Sequence, residues 1–242
     1  MYKAKKILAI ITARGGSKGL PEKNIKIING RPLIAWTIYQ AKNSELIDDI
    51  FISTDSLEIA KVCDEYGIKI EELRPGYLAT DTASSMDVID YTIEVMKKEG
   101  KVFDYILLLE PTSPLRKRND LDNIIKQAGD NPDCDGVISV GKVHTEHPMV
   151  VKKVSEKGNI IPYSENVEAA YQRQLHDEAL FPYGVGYLIK TSVFEEKHTI
   201  YTSNIMPYYI ERWQNYEIDD IYDFRCVETI MKMESDKLWK NI

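Results

Sequence analysis

The sequence lacks long hydrophobic runs and is poor in cysteine, and both absences limit the kind of protein it encodes. No stretch approaches the roughly 18 consecutive apolar residues that a membrane-spanning helix requires, and Met1–Lys6 leads into a strand without a cleavable hydrophobic region. We therefore expect no membrane contact and a cytoplasmic location. The cysteines, Cys63, Cys134 and Cys226, are odd in number and widely spaced, so reduced thiols are expected rather than disulfides or a C-x-x-C site.

An excess of positive charge is also absent. Lysine and arginine total 31 against 38 aspartate and glutamate residues, which gives a formal net charge of −7. That balance argues against a nucleic-acid partner, because a phosphate backbone is bound by a broad basic surface. Hydrophobic residues make up 43% of the 242 positions, which is enough for one sizeable α/β domain with or without a small appendage.

Short apolar runs alternate with amphipathic segments along the chain. The predicted strands are Ile7–Thr12, Asp49–Ser53, Tyr105–Leu109 and Val137–Val140. The predicted helices are Leu33–Lys42, Leu57–Tyr66, Met86–Lys98 and Leu121–Ala128. This alternation predicts an α/β fold with a Rossmann-like, mostly parallel sheet flanked by helices. Ligands bind such sheets beyond the carboxyl ends of the strands, so the loops that follow the strands are the candidate site.

The alternation breaks at 142–183, which we interpret as an insertion into a main domain comprising 1–141 and 184–242. A hairpin is expected within it, with strands at Met149–Val154 and Asn159–Tyr163 joined by a glycine-containing turn. The residues alone do not decide whether this hairpin contacts a second copy of the chain or lies on the surface of a monomer.

The segment at 13–24 follows the first strand and combines three loop glycines with the cations Arg14, Lys18 and Lys23. Glycine lets the backbone approach a polyanion and turn its N–H groups toward it, while the cations match phosphate oxygens in charge. Neither the Walker pattern G-x-x-x-x-G-K-[ST] nor the G-x-G-x-x-G fingerprint is present, so this is a different type of phosphate loop. We expect it to bind a nucleoside triphosphate.

This loop resembles the opening signature of the acylneuraminate cytidylyltransferases, also known as CMP-sialic acid synthetases. The resemblance continues, in order, through Arg31–Ile38, Ser53–Asp55, Arg74-Pro75, Ala79–Ser85, Pro111–Arg116, Arg173-Gln174 and Glu217–Asp219. Together these motifs span residues 7 to about 225. The ordered series is specific to the family and less specific to one sugar within it.

The resemblance implies a nucleotidyltransferase fold and a Mg²⁺-dependent reaction of CTP with a nine-carbon 2-keto sugar acid of the N-acylneuraminate or legionaminate type. It also implies a homodimer in which the insertion at 142–183 is the dimerisation arm. The anomeric hydroxyl would attack the α-phosphorus of CTP and expel pyrophosphate, so catalysis is largely positioning and neutralisation of phosphate charge.

The expected catalytic residues, which would hold the β- and γ-phosphates, are Arg14, Lys18 and Lys23. The expected nucleotide-binding residues are Arg14, Gly15, Ser17, Lys18, Lys23, Asn24, Arg74, Ala83 and Ser85. Arg74 would donate to the acceptor edge of cytosine, and the Ala83 carbonyl would accept from its amine. Ser84 and Ser85 also precede a predicted helix, where one can serve as the N-cap while the other contacts the ligand.

The expected sugar-binding residues are Glu110, Thr112, Ser113, Arg173, Gln174, Tyr183 and Tyr187. A sugar acid carries a carboxylate and several hydroxyls, which suit an arginine with amide and aromatic neighbours. Arg173-Gln174 matches the family's Arg-Gln element, although Leu175 replaces the Asp that often follows, and a surface arginine in the arm is the alternative. Glu110 stands where sialate enzymes usually carry Gln. Because an ionised carboxylate only accepts hydrogen bonds, the choice of sugar is expected to differ.

Glu217 and Asp219 are the expected Mg²⁺ ligands. They alternate along an extended run, so their side chains leave on the same face and can share one hard cation. The family usually has Asp-x-Asp at these positions. Because Glu217 replaces the first Asp and is one methylene longer, Asp219 is the stronger candidate. Asp220 and Asp223 are interpreted as acids at the N-terminus of a helix, where the helix dipole favours negative charge.

Two alternatives remain open. One is an enzyme like the CMP-Kdo synthetases, which activate an eight-carbon acid and whose phosphate loop lacks the Gly-Gly-Ser-Lys-Gly form found at 15–19. The other is a nucleotide-binding module without turnover, which the presence of Lys23 and of the Glu217/Asp219 pair argues against. The sequence does not identify the sugar acid.

Overall fold

A six-stranded mixed sheet forms the centre of the fold in the computed structural model, which describes residues 2–80, 82–163 and 177–238. The strands in these ranges are β1 (Ile7–Thr12), β2 (Ile27–Ile28), β3 (Arg31–Pro32), β4 (Asp49–Ser53), β5 (Tyr105–Leu109), β6 (Gly136–Lys142), β7 (Lys152–Val154), β8 (Ile160–Pro162), β9 (Leu180–Lys190) and β10 (Ile205–Tyr209). The central sheet has the order β10-β6-β9-β5-β1-β4. Its pairs are parallel except for β9, which runs antiparallel between β5 and β6. The predicted mostly parallel sheet is confirmed.

Helices cover both faces of this sheet. They are α1 (Leu33–Lys42), α2 (Leu57–Glu65), α3 (Ser85–Lys98), α4 (Asp120–Asp130), α5 (Thr191–Lys197) and α6 (Ile221–Met233). The first four match the helices that the apolar periodicity predicted, to within about two residues at each end. None of the described helices combines the length and the apolar character needed to cross a membrane.

The start of α6 confirms the interpretation of Asp220 and Asp223. Asp220 Oδ1 accepts hydrogen bonds from the backbone N–H groups of Tyr222 and Asp223 at 2.7 and 3.0 Å. Asp223 Oδ2 accepts in return from the N–H groups of Asp220 at 3.2 Å and Asp219 at 3.0 Å. This reciprocal capping fixes the backbone of the acidic segment that precedes the helix.

Side chains alternate along β1 between two core layers. Ile7, Ala9 and Ile11 pack on the face covered by α1, α2 and α4. Leu8 and Ile10 pack on the face covered by α3 and α5. Because both faces are buried, the strand is a continuous apolar run, and its carboxyl end holds the following loop at a fixed point.

The insertion contains a two-stranded hairpin outside the central sheet. β7 and β8 pair antiparallel, with Val154 opposite Ile160, which confirms the predicted hairpin with shorter strands. Near its base the His147 ring is buried. The Met149 N–H donates to His147 Nδ1 at 3.3 Å, which leaves Nε2 to donate to the Asp177 carbonyl at 3.1 Å. This bond links the beginning and the end of the insertion.

Candidate active site

A cavity of about 450 Å³ opens beside the carboxyl ends of β1 and β5, at the edge of the sheet where α/β proteins bind ligands. We term it the carboxyl-edge cavity. The predicted site residues that line it are Arg14, Ser17, Lys18, Lys23, Asn24, Arg74, Ala83, Ser85, Glu110, Thr112 and Asp219. The fold thus brings four segments that are far apart in the sequence to one place.

Hydrogen bonds within the phosphate loop and to neighbouring segments brace it. The Gly15 N–H donates to Asp55 Oδ1 at 2.9 Å, which ties the loop to the end of β4. The Asn24 amide is only 6% exposed and donates to the Arg14 carbonyl at 3.0 Å. Arg14 Nη1 in turn reaches the Thr80 carbonyl at 3.5 Å. The loop is therefore shaped by its own contacts before a ligand is bound.

Lys23 joins the phosphate loop to the acidic segment. Its Nζ donates to the Ile218 carbonyl at 2.7 Å and to Asp219 Oδ1 at 3.2 Å. The side chain of Lys23 is 13% exposed whereas that of Asp219 is 85% exposed, so the cation is enclosed and the carboxylate reaches solvent. Gly19 permits this approach, because a Cβ at that position would overlap the Asp219 carbonyl oxygen.

Arg74 forms another wall of the cavity and is itself held in place. Its Nε donates to Ser53 Oγ at 2.9 Å and its Nη1 to the Leu78 carbonyl at 3.2 Å. Burial lowers the pKa of Arg74, and the negative charge of Asp55 opposes that shift. Arg74 Nη2 also donates to the Ser53 carbonyl at 2.5 Å, so the plane of the guanidinium is fixed and one N–H on each of Nη1 and Nη2 is left for a ligand.

Ser84 and Ser85 take different positions at the start of α3. Ser84 Oγ accepts from the Met86 N–H at 3.0 Å and caps α3. Ser85 is the first residue of α3 and lines the cavity. The positive end of the α3 dipole consequently lies at this wall, where it favours an anionic or electron-rich ligand group.

Glu110 forms the remaining wall, and Glu217 and the buried Arg116 lie close enough to act on its charge. Burial raises the pKa of Glu110 to about 7, and the negative charge of Glu217 adds to the shift while Arg116 opposes it. Glu217 Oε1 accepts from Ser113 Oγ at 2.8 Å and from the Gly184 N–H at 2.6 Å. Glycine is required at 184, because a Cβ there would overlap the Glu110 carboxylate. We term this region the glutamate wall.

Arg116 is fully buried and organises the glutamate wall. Its guanidinium donates to the carbonyls of Val185 at 2.7 Å, Glu110 at 2.8 Å and Gly184 at 2.6 Å, and to the side chains of Thr37 at 2.9 Å and Gln40 at 3.0 Å. Burial lowers the pKa of Arg116 to about 10, with Glu110 opposing the shift, so the side chain stays protonated at neutral pH. Arg116 therefore fastens β9 to the turn that follows β5.

Tyr183 and Tyr187 lie on β9 beside the same wall. Tyr187 is 6% exposed and packs edge to face against Tyr201, with 6.4 Å between ring centroids. Tyr183 is less buried and packs against Phe181 at 5.0 Å. Burial raises the pKa of both phenols, and the nearby glutamates add to the shift. Tyr187 thus belongs to the core beneath Glu110, and Tyr183 is the more accessible of the two.

Some predicted residues lie outside the carboxyl-edge cavity. Gly15 bounds an adjoining cavity of about 330 Å³ that also includes Arg14 and Asn24. Ser113, Tyr183, Tyr187 and Glu217 do not line the carboxyl-edge cavity and belong to the glutamate wall or the strand beside it. Arg173 and Gln174 fall outside the described residues. Within the described ranges, no three His, Cys, Asp or Glu side chains are grouped to hold a metal ion, so a cation would need ligands beyond Glu217 and Asp219.

Three contributors to the site were not predicted as such. Arg116 and Asp55 stand within motifs that carry the resemblance, and for Asp55 its place two residues after a predicted strand was an available signal. Nothing in the sequence marks Gly184, because its role depends on β9 lying beside β5.

Comparison with known proteins covers nearly the whole chain. The cytidylyltransferase family model matches residues 8–237. The CMP-N,N'-diacetyllegionaminic acid synthase of Legionella pneumophila is 31% identical over 241 residues, which cover 96% of this chain and 99% of that protein. The N-acylneuraminate cytidylyltransferase of Streptococcus agalactiae is 32% identical over 222 residues, which cover 90% of this chain and 52% of that protein. The present chain thus spans about half the length of the streptococcal relative.

A solved structure supports the fold class independently. The CMP:2-keto-3-deoxy-manno-octonic acid synthetase, complexed with CTP, superposes with a TM-score of 0.70 over 95% of this chain and 99% of that chain, at 19% sequence identity. That likeness confirms a nucleotidyltransferase fold. With the family match over 8–237 and relatives above 30% identity over most of the sequence, the chain belongs to the cytidylyltransferase family.

Proposed function

We propose that this chain joins CTP to a nine-carbon 2-keto sugar acid of the N-acylneuraminate or legionaminate type, giving the CMP-sugar and pyrophosphate. The carboxyl-edge cavity carries the proposal, because the cations of the phosphate loop, Arg74, Glu110 and Asp219 all line the same space. The end-to-end match to the Legionella enzyme supports the class of sugar. CTP is a cytosolic nucleotide, so the proposal also places the protein in the cytoplasm.

The reaction forms one P–O bond and breaks another. The anomeric oxygen attacks the α-phosphorus, its proton passes to solvent, and the bond from the α-phosphorus to the bridging oxygen breaks to release pyrophosphate. Arg14, Lys18 and Lys23 neutralise the charge of the triphosphate and of the departing pyrophosphate. Lys23 suits this role because the Ile218 carbonyl already fixes its ammonium group.

Cytosine is selected by Arg74 and the start of α3. The Arg74 guanidinium is held by Ser53 and Leu78, so it donates to the acceptor edge of the base without first losing side-chain freedom. The Ala83 carbonyl accepts from the exocyclic amine, and Ser85 adds a hydroxyl at the same wall. A uracil base lacks that amine and is disfavoured.

Mg²⁺ is the proposed cofactor, and Asp219 is the expected ligand that lines the carboxyl-edge cavity. Asp219 offers an exposed carboxylate at the cavity. Glu217 uses Oε1 for Ser113 and Gly184, which leaves Oε2 for a ligand. Mg²⁺ prefers oxygen ligands and takes the rest of its shell from phosphate and water, so two protein carboxylates suffice. Glu217 and Asp219 would hold the ion, which supplies charge neutralisation at the phosphates.

The sugar acid is proposed to bind at the glutamate wall. Glu110 and Thr112 line the cavity there, and Tyr187 supports Glu110 from the core. Ser113 is buried and acts through Glu217, to which its hydroxyl donates, while Tyr183 is the more accessible tyrosine. With a pKa of about 7, Glu110 is present in both protonation states near neutrality and can donate as well as accept hydrogen bonds. The part assigned to Arg173 and Gln174 stays a prediction from the resemblance.

The activity test measures pyrophosphate release with CTP and N-acetylneuraminic, legionaminic and pseudaminic acids, with the octonic acid Kdo as a further acceptor. We expect release and a CMP-sugar by mass spectrometry with a nine-carbon acid and Mg²⁺, and little with ATP, GTP or UTP. A blank without sugar acid controls for hydrolysis of CTP. CTP binding without turnover of any acid would instead support the non-catalytic module, and turnover of Kdo alone would support the eight-carbon alternative.

A homodimer is proposed because the hairpin exposes apolar side chains. Val154 and Ile160 are opposite each other in the hairpin and are 71 and 76% exposed, so this apolar pair suits burial against a second copy of the chain. Light scattering after size exclusion should give a dimer for the wild type and a monomer for Ile160→Glu. Lys157→Glu, in the turn of the same hairpin, is the control and should stay dimeric. A monomeric wild type would contradict the proposal.

A further inference from the structure

The insertion at 142–183 leaves the central sheet and returns to it through two paired stems. We term the end of β6 the outgoing stem and the start of β9 the returning stem. Lys142 lies opposite Leu180 in the ladder between these strands. One residue further on, the Val143 N–H donates to the Ala179 carbonyl at 2.9 Å. Because the stems are hydrogen-bonded to each other, a movement of one is passed to the other.

Asn215 fastens the outgoing stem to the acidic segment that carries Glu217 and Asp219. The residue is only 6% exposed, and its Nδ2 donates to the Lys142 carbonyl at 3.0 Å. Gly141 permits this approach, because a Cβ at that position would overlap the Asn215 amide. The amide thus packs directly against the backbone of the stem.

Glu217, two residues further along the acidic segment, holds the returning stem. Its Oε1 accepts from the Gly184 N–H at 2.6 Å. The carbonyl of the same glycine accepts from the Glu110 N–H at 3.3 Å. The Ile218 N–H donates to the Thr112 carbonyl at 2.9 Å. The acidic segment consequently contacts both stems of the insertion and the turn that follows β5.

The other end of the Asn215 amide is unfavourable for stability. In the part of the chain that the structure describes, Asn215 Oδ1 is one of two buried side-chain polar atoms without a hydrogen-bond partner. An unpaired buried oxygen destabilises the fold, and such exceptions call for an explanation. A leucine would have the same branched shape without the unpaired atom. Stability alone therefore does not account for an asparagine here, and departures of this kind are expected at functional sites.

We infer that Asn215 is a positioning residue for the sugar acid, because by holding the outgoing stem it fixes the returning stem and the glutamate wall. The inference rests on the proposed function. The contacts run from Asn215 through the paired stems to Gly184, which bonds to both Glu217 and Glu110. Arg74, which is expected to bind the base of CTP, is held at the end of β4 instead. The binding of CTP should therefore depend little on Asn215.

The test measures KM for each substrate by pyrophosphate release from Asn215→Leu, with the nine-carbon acid that the wild type uses best. The variant loses the donor to Lys142 but keeps the side-chain shape. Its KM for the sugar acid should rise at least about fivefold, while its KM for CTP stays within about twofold of the wild type. Asn204→Leu is the control, because Asn204 Nδ2 also donates to a backbone carbonyl, that of Asp133 at 2.7 Å, but just before the start of β10. It should keep both wild-type values.

Gly141→Ala disturbs the same contact from the other side. Its methyl group displaces the Asn215 amide, so the KM for the sugar acid should rise as in Asn215→Leu. On an Asn215→Ala background the smaller side chain leaves room for the methyl group, so Gly141→Ala should add little further effect. Melting curves by circular dichroism show whether each variant is folded.

Three results would overturn the inference: an unchanged KM for the sugar acid in folded Asn215→Leu, an equal rise in both KM values, or additive effects of the substitutions at 141 and 215. A rise in both values would show that Asn215 only stabilises the fold. A wild type that turns over no sugar acid would overturn the proposed function, and the inference with it.

Discussion

The phosphate loop and the glutamate wall meet at the carboxyl-edge cavity, which Glu110 of the wall lines, but the two regions are built in opposite ways. On the loop side, Lys23 pairs with an Asp219 side chain that is 85% exposed, so its partner can move away into solvent. On the other side, Arg116 is fully buried and donates to five oxygen atoms. The first side is suited to exchange a protein carboxylate for ligand phosphates, and the second is suited to hold a fixed shape.

Because of this difference, the two regions should contribute unequally to the stability of the fold and to turnover. An ion pair with one exposed partner contributes at most about 1 kcal/mol to stability, so replacing Asp219 by phosphate costs the fold little. Removing a buried charged group that satisfies several carbonyls leaves them without partners and costs several times more. We therefore expect substitutions in the glutamate wall to affect folding first and substitutions in the loop to affect turnover first.

The largest effect is expected for Arg116→Met, which removes the buried guanidinium and leaves its acceptors unpaired. The free energy of unfolding should fall by about 3–5 kcal/mol. Urea denaturation followed by circular dichroism measures it. Arg225→Met is the control, because the Arg225 side chain is 68% exposed and pairs with Glu228 on the same helix; it should change stability by less than about 1 kcal/mol. If Arg116→Met had the urea midpoint of the wild type, the proposed difference between the glutamate wall and the phosphate loop would be wrong.

Lys23→Ala should have the next largest effect, this time on turnover. Loss of one positioned cation at the developing charge should reduce kcat/KM for CTP by about 100- to 1,000-fold. The melting temperature should change little, because the lysine contacts a carbonyl and an exposed carboxylate. Lys61→Ala, on the exposed surface of α2, is the control for both measurements. Wild-type kcat/KM in Lys23→Ala would exclude a role for this lysine in the reaction.

The sequence predicted those parts of the fold that depend on local pattern. Runs and periodic spacing of apolar residues predict β1, β4, β5 and the first four helices. Packing in the folded protein favours the same elements. β9 was missed because Pro182, Gly184 and Gly186 interrupt its apolar pattern and because it begins within the segment taken as the insertion. Its antiparallel place between β5 and β6 is a tertiary property that no local pattern encodes.

The candidate site likewise contains some features that the local sequence predicts and others that depend on the tertiary structure. The cations of the phosphate loop were predicted because glycines and basic residues adjoin in sequence, and the cavity brings them together. The Lys23–Asp219 pair joins residues 196 positions apart, and the contacts of Arg116 with Thr37 and Val185 depend on three separate segments meeting. Such contacts become visible only when the sheet is assembled.

Glu110→Gln should alter the pH dependence of stability. Since burial raises the pKa of Glu110 to about 7, the folded protein binds more protons than the unfolded chain between about pH 4.5 and 7. The wild type should therefore lose about 1–3 kcal/mol of stability from this group as the pH rises through that window. The variant should lack that loss, so urea midpoints at pH 5 and pH 8 should differ less than in the wild type.

The same variant tests the proposed part of Glu110 in the choice of sugar. The order of preference among sialic, legionaminic and pseudaminic acids should change, because glutamine donates at every pH. Glu94→Gln, an exposed glutamate on α3, is the control for both readouts. An unchanged order of acceptors together with unchanged pH dependence would leave Glu110 without either role.

The smallest effects are expected at Ser84, which caps α3, and at its neighbour Ser85, which lines the cavity. Ser84→Ala removes the N-cap of α3 and should cost about 0.5–2 kcal/mol of stability while leaving the KM for CTP unchanged. Ser85→Ala removes a hydroxyl at the cavity wall and should raise the KM for CTP by about 2- to 10-fold with little change in stability. Each variant is the control for the other, with urea midpoints and KM measured on both. If the two substitutions instead changed stability and KM together, cap and ligand contact would not be separable at this helix end.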